Sequence, residues 1–495
     1  MTRTAPDRPA PDGPAPATSP DADPSLGRRL RETPRPALLW AVVGLLLLAP
    51  EVGALLHAGV ELLAVPLRLL PVHATGVLGA LDRATASVPT LLSRSTVPNG
   101  GHWDGQRWVG TFAGLEPKQA WLLRVGLVYA YAFAVLGWLW SGYRRFRRHY
   151  RRADWTPRDD ALDRLRRHRW GQFGLVVVAA VVVMAVFAPA LGPTTVERNV
   201  LHPYEHELTY WDADAGQTRT VLVGDANLES QSRNTPENVG PWAYDDFGRF
   251  HPFGTTPNGK DLFTFVATGA RVSLSVAGTA VVGAALLALA LSLLTAYYRG
   301  LADLLVVFTS DAVQALPLLV LLILVLTVFQ GSRLAEFYDG AVLLVGVFVL
   351  AQWPFLWRAI RGPALRVADA GWVDAARAYD QRPRAIMRRH MAPYVVGYLF
   401  VYGSMSLGGI VLAVAGLSFL GLGIDAPTPE WGRLIVAGQP YVATRSWHVS
   451  LLPGLVITLV VTGFNALGDG VRDAIDPQSA GGDAAEATMA GGGNA

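Results

Sequence analysis

Cysteine is absent from this 495-residue chain. That excludes a disulfide framework and any thiolate metal site. Charge is scarce as well, at 16% against 51% hydrophobic residues. The ten His residues form no H-E-x-x-H pair or comparable ligand spacing, and no G-x-S-x-G nucleophile elbow occurs. One stretch, Gly254 to Lys260, has the GxxxxGK spacing of a phosphate-binding loop. Asp261 follows it where a magnesium-binding Ser or Thr is required, and an Asp there would repel phosphate. No buried strand is expected to lead into it. The chain has no ATP-binding signature of its own, and neither a cofactor, a metal site nor catalysis is expected on it.

What the chain does have is a series of long apolar runs. A bilayer core of about 30 Å takes about 20 helical residues to cross. In lipid only a helix or a closed barrel satisfies its own backbone. The runs are continuous rather than alternating, so they read as helices of an all-α polytopic membrane protein. Residues 1–35 are rich in Pro, Ala and Asp and are expected to be a disordered tail. That tail is too long and too Pro-rich to be a typical signal peptide. An N-terminal membrane region, 36–141, follows, with a span at Ala37–Leu56 carrying Glu51 near its outer end and a second at Trp121–Trp140. Between them, 58–81 is apolar but broken by Pro66, Arg68, Pro71 and His73, and 82–120 is a polar loop.

Topology decides the doubtful segment. The 142–171 linker is strongly basic, with eleven Arg against four Asp between Tyr143 and Trp170. A run this basic beside a span belongs in the cytoplasm. The Arg-bearing N-terminal tail belongs there too, so two spans separate them and 58–81 lies outside or in the outer interface. The net charge of +3 is accounted for by such loops rather than by nucleic acid. The linker is also suited to anionic lipid headgroups.

Residues 172–477 form the core, with spans near 173–191, 272–297, 304–329, 341–357, 395–415 and 449–467. Six spans starting inside return inside, so both termini are expected in the cytoplasm of a plasma-membrane protein. The external loop, 192–262, has strand character at Tyr210, Trp211, Thr218, Thr220, Val221 and Val223 around an Asp-Ala-Gly turn. Residues 478–495 are expected to be a disordered tail. Asp311 and Asp469 are the charges nearest the membrane interior. An intramembrane carboxylate is a functional candidate, although Asp311 could equally sit at the interface, satisfied by water or Arg299.

The stretch Trp372–Pro393, WVDAARAYDQRPRAIMRRHMAP, is too long and too patterned for a plain connection. Asp374 lies in the first turn of a helix, where the helix dipole favours a carboxylate. Ala375, Ala376 and Ala378 leave one side of that helix nearly bare. At Asp380–Pro383 a turn and restart is expected, with Asp as N-cap and Pro in a first helical turn. The physics allows two readings: a docking surface for another protein, or an amphipathic helix under the headgroups with its Arg residues snorkelling.

This stretch resembles the signature loop of ABC-importer permeases, in which Glu-Ala-Ala, three residues, Gly and then nine residues precede Ile and a later Pro. Asp374, Ala375 and Ala376 stand at the Glu-Ala-Ala positions, and Asp380 replaces the Gly. The closing part, Ile386, Arg389, His390 and Pro393, is similar to the dipeptide and oligopeptide subgroup. Three further segments resemble the same subgroup: 252–274, 408–435 and 452–477. The resemblance covers Phe173 to Pro477 and implies a six-helix permease core, here preceded by two extra N-terminal transmembrane helices. It implies ATP-binding subunits that hold ATP and Mg, a second permease and an extracytoplasmic solute-binding protein as partners. Asp374, Ala375, Ala376, Tyr379, Asp380, Ile386, Arg389, His390 and Pro393 would be the residues that couple to the ATP-binding subunit. The alternative class is a stand-alone secondary transporter or channel. Such a carrier should show paired repeats with broken helices or mid-membrane ion ligands, and the sequence displays neither.

Overall fold

The computed structural model describes residues 26–475, apart from 55, 57–58, 61–83, 86–87, 89, 91–92, 152–155, 333–334 and 336. The expectations for residues 1–25, for the C-terminal tail and for nearly all of 58–81 lie outside the described residues. Seven described helices are long and apolar enough to cross a membrane, and a bent pair supplies an eighth crossing if it is counted as one span.

The chain divides into two compact units, the smaller built from residues 1–50 and 133–154. It contains α1 (Leu26–Glu32), most of α2 (Pro34–Ala54) and the second half of α3 (Pro117–His149). Residues 26–32, expected to be part of an unstructured tail, are helical because they have partners. Arg28 pairs with Glu32 at 3.0 Å, and Arg29 donates to the Tyr150 carbonyl at 2.8 Å. Trp40 and Trp138 stack with centroids 4.4 Å apart. Each indole N–H donates to the other's backbone carbonyl, at 3.0 and 2.9 Å. Gly44 lies under Trp138 and Gly142 under Trp40, where any Cβ would sit within 2.4 Å of an indole atom. A glycine one turn from each tryptophan lets the two helices close.

In the larger unit, α3 begins with Ala120, Arg124, Val128 and Ala132 buried at every fourth residue, one face of a helix. α4 (Pro157–Leu165) carries a Thr156–Asp159 capping box. The spans α5 (Arg169–Val186), α7 (Leu262–Tyr298), α10 (Ala341–Ala368), α12 (Pro383–Phe419) and, after the short α13 (Trp431–Gly438), α14 (His448–Ile475) follow. Most outrun the apolar segments expected for them, since a helix needs no lipid to continue its hydrogen bonds. α7 starts at Leu262 rather than near 272 because Asp261 accepts from Thr264 N and caps it there. The span expected at Leu304–Phe329 is not one helix. It is α8 (Gly300–Gln314) and α9 (Leu318–Phe329), bent by 89° at Pro317, which has no N–H and restricts the residue before it.

The 192–262 region contains an antiparallel hairpin, β3 (Glu207–Asp212) with β4 (Gln217–Leu222), in register from Glu207↔Leu222 to Asp212↔Gln217. Asp212 closes its turn by accepting from Asp214 and Ala215 N–H groups. The 82–120 segment, expected to be loop, makes a hairpin of its own, β1 (His102–Trp103) with β2 (Trp108–Val109). It packs on the region that precedes α7: Trp108 stacks on Tyr244 at 6.5 Å, and Tyr244 donates to Glu116 at 2.8 Å. A two-residue pair, β5 (Ala243–Tyr244) with β6 (Phe250–His251), and α6 (Val223–Glu229) complete the region. The GxxxxGK stretch is a tight turn with Gly254 and Gly259 at φ +80° and +71°. A Cβ on Gly259 would lie 1.6 Å from the Asn227 carbonyl oxygen, and Lys260 donates to Val200 O at 2.9 Å.

At the base of this region His251 is buried between two carboxylates, Asp261 at 2.8 Å and Asp245 at 3.3 Å. Burial alone would lower the His251 pKa, but the two carboxylates outweigh it and the pKa is raised. Burial raises Asp245, yet Arg249 and His251 hold it well below the usual carboxylate range. A pKa raised by folding means that protonated His251 stabilises the fold fully below its unfolded value, near 6.5. That stabilisation is lost as pH rises through the folded value. The melting temperature of the unaltered protein is therefore expected to exceed that of His251→Gln below the unfolded value and to converge toward it as pH rises. A gap that widens with pH would contradict this.

Small residues set the spacing of α5 and α14. A Cβ on Gly174 would meet Leu467 N at 2.3 Å and Gly463 O at 2.6 Å, while Gly171 and Gly470 face each other across the same seam. Gly174→Ala is expected to cost about 1–3 kcal/mol by overpacking, read as a lower melting temperature in detergent. Gly126→Ala, which meets nothing within 4 Å, is the control and should be near neutral.

Candidate functional site

The patterned stretch forms α11 (Gly371–Ala378), a four-residue turn, and the first turns of α12. Val373 and Ala376 are buried and join one apolar cluster with Trp353, Leu356, Trp357 and Ile360 of α10. Ile386 and Met391 join the same cluster from α12. The opposite face carries Asp374, Ala375, Ala378 and Tyr379, all exposed, with the Tyr379 ring at the tip 83% exposed. Arg377 donates to Asp374 one turn back at 3.0 Å and lies 4.9 Å over the Tyr297 ring.

The nine expected residues therefore divide. Asp374, Ala375, Tyr379, Asp380, Arg389 and Pro393 are exposed, whereas Ala376 and Ile386 are buried in this chain's own core. Ala376 cannot touch a partner: it lies three residues after Val373, on the inward face of the helix. His390 is half-buried and bonds to Gln381 at 3.1 Å, so it closes the turn. Arg382, Arg384, Arg388 and Arg389 remain exposed and give this surface a positive excess.

Asp380 is not an N-cap. The residue preceding α12 is Arg382, and its side chain caps nothing. Asp380 instead ends α11 in the left-handed region at φ +52°. Its N–H reaches Arg377 O at 3.0 Å, and Gln381 N–H reaches Ala376 O at 3.2 Å. This pair of bonds is a Schellman cap, which explains why the related pattern has Gly here and why Asp can replace it. Beyond it, Met387–Met391 widens into a π-helical turn. The wider turn accommodates Pro393, which has no N–H to return to the preceding turn.

Three Arg–Asp pairs brace the bundle beside α11. Arg361 of α10 donates to Asp303 of α8 at 2.9 Å, Arg358 of α10 pairs with Asp311 of α8, and Arg299 pairs with Asp369. Water and Arg299 are the partners the sequence leaves open to Asp311; in the structure α10 presents Arg358, and Arg299 pairs with Asp369. These partners are too far apart in sequence for any local pattern to signal them. The Schellman cap is testable alone. Asp380→Gly should keep or raise stability, whereas Asp380→Val should cost about 1–2 kcal/mol through the left-handed strain, read by thermal unfolding.

Residues 268–480 match the family described as binding-protein-dependent transport system inner membrane component. Residues 156–207 match the N-terminal TM domain of oligopeptide transport permease C. The chain is similar to the dipeptide transport system permease protein DppC of Alkalihalophilus pseudofirmus, 28% identical over 65% of this chain and 90% of that protein. It is also similar to the glutathione transport system permease protein GsiD of Escherichia coli, 31% identical over 65% of this chain and 91% of the relative. GsiD of Pectobacterium atrosepticum is 34% identical over 46% of this chain and 73% of that relative. An all-helical bundle of membrane-crossing length, together with relatives covered nearly end to end, establishes the assignment: this chain is a multi-pass member of the binding-protein-dependent transport system inner membrane component family, a permease subunit of an ABC importer.

Proposed function

We propose that this permease carries short peptides or peptide-like solutes and is driven through α11 by a separate ATP-binding subunit. The names of its relatives, permeases for dipeptides and for glutathione, support the solute class. The observation that carries the coupling role is the split of α11 into an inner face buried in the cluster it shares with α10 and α12 and an outer face led by Tyr379. In this reading Tyr379, Ala375 and Asp374 enter a groove on the ATP-binding subunit, and the exposed Arg residues steer the approach to an acidic rim.

ATP and magnesium are held by the partner, and this chain contributes no catalytic group or cofactor. Closure of two such ATP-binding subunits displaces α11, and the shared cluster with Trp353 and Trp357 carries the displacement into the spans. The two end states differ in nucleotide affinity, which is what lets ATP bias them. A second permease completes the passage and an external binding protein delivers the solute. The Arg-rich run before Trp170 supports cytoplasmic termini and contact with anionic lipid.

The test is copurification of the ATP-binding subunit with the membrane complex, together with dipeptide and glutathione uptake. Tyr379→Ala combined with Asp374→Arg should abolish both, since truncating a central aromatic anchor costs about 2 kcal/mol or more. Retention of the subunit and of uptake at unaltered levels would refute the coupling role.

A further inference from the structure

The bend between α8 and α9 opens onto a cavity of about 600 Å³ lined by side chains of α8, α10, α12 and α14. Its polar lining is made of Gln314, Gln352, Asn465 and Ser406, with Phe355 and Met405 among its apolar walls. Among the described residues, no charged side chain lines it. Gln352, Ser406 and Asn465 lie well inside helices long enough to cross a membrane, so the cavity sits at membrane depth. Its volume falls within the roughly 300–1,000 Å³ of small-molecule sites.

The amides make little use of the protein itself. Gln314 donates to Ser310 at 3.0 Å and so keeps its carbonyl free. Ser406 donates to Tyr402 O at 2.9 Å. Gln352 and Asn465 form no side-chain hydrogen bond among the described residues. Side-chain amides facing hydrocarbon would be left unsatisfied at high cost. The non-helical backbone at 315–317 has the same constraint: at membrane depth it is tolerated only inside protein or beside a water-filled cavity. Both features are accommodated if water and solute enter here.

We propose that this cavity is the solute passage of the permease, in which Gln314, Gln352 and Asn465 form a charge-free set of donors and acceptors for the amide groups of a peptide-like solute. An amide side chain can both donate and accept, which matches the N–H and C=O of a peptide bond. Without fixed charge the passage holds either terminus of a peptide equally weakly, so bound solute can leave. Phe355 and the flexible thioether of Met405 supply walls that adapt to varied side chains. The polar set thus recognises the backbone, and discrimination among side chains lies elsewhere. This inference rests on the peptide-permease reading above.

Because the chain has no cysteine, single cysteines report access directly. Gln352→Cys and Asn465→Cys, each in the intact membrane complex with and without ATP, are treated with a charged, membrane-impermeant methanethiosulfonate. Val328→Cys on the exposed apolar face of α9 is the control. The expected result is modification at 352 and 465, slowed by excess dialanine, and none at 328. No modification at 352 and 465 in either condition would mean that these amides lie in a dry contact with the second permease, and would overturn the proposal. As an independent reading, Gln352→Leu should lower dialanine uptake about 10-fold, the equivalent of one hydrogen bond, while the ATP-binding subunit still copurifies. Unchanged uptake would equally refute it. If the unaltered complex takes up no peptide, the solute class fails, and modification by the thiol reagent still decides whether the cavity is a passage.

Discussion

The inner face of α11 is buried in the apolar cluster it shares with α10 and α12, and the proposed coupling depends on that burial. Val373 and Ala376 reach the cluster from one side of the turn and Ile386 and Met391 from the other. A helix this short has no stability of its own in water. It exists because its apolar side is buried and because the Schellman cap ends it cleanly. In the proposed coupling, the same packing would transmit a displacement of α11 instead of absorbing it.

Closeness elsewhere is set by the absence of side chains. α5 and α14 approach along Gly171, Gly174, Gly463 and Gly470, and α2 meets α3 where Gly44 and Gly142 receive an indole each. In lipid there is no hydrophobic effect to draw helices together, so backbone contact and reciprocal hydrogen bonds do that work. The Trp40–Trp138 pair combines both, since each ring stacks and each indole N–H finds a carbonyl. The two N-terminal helices are thus held by the same physics as the core. The first half of α3 is further joined to the core by Trp121, which donates to Leu191 O at 2.8 Å.

Local signals were legible. The hairpin at 207–222 follows from alternating residues around an Asp-rich turn, and α11 follows from its first-turn acid, small residues and proline restart. Asp261, which breaks the phosphate-loop pattern after GxxxxGK, is the buried cap of α7 and a partner of His251. Other readings failed for identifiable reasons. The run Leu304–Phe329 is predominantly apolar by mean hydropathy, and that masks Gln314 and Pro317, the residues that mark a break. Asp380 has the residue type of an N-cap, but its backbone hydrogen bond runs backward to the end of the preceding helix. The 82–120 segment looked like loop because its short strands gain order only against Tyr244 and its neighbours.

The sequence alone determined that the chain is a bundle of membrane helices, and which loop carries the family pattern. Those properties depend on apolar length and on residues within a few positions of one another, so they are written locally. Only the tertiary structure decided that Ala376 faces inward while Tyr379 faces out, that Asp311 meets Arg358, and that four polar side chains from four helices converge on one cavity. Each of those depends on the rotation and depth of helices distant in sequence. Hydropathy cannot specify rotation, because it does not distinguish lipid from protein as the apolar neighbour.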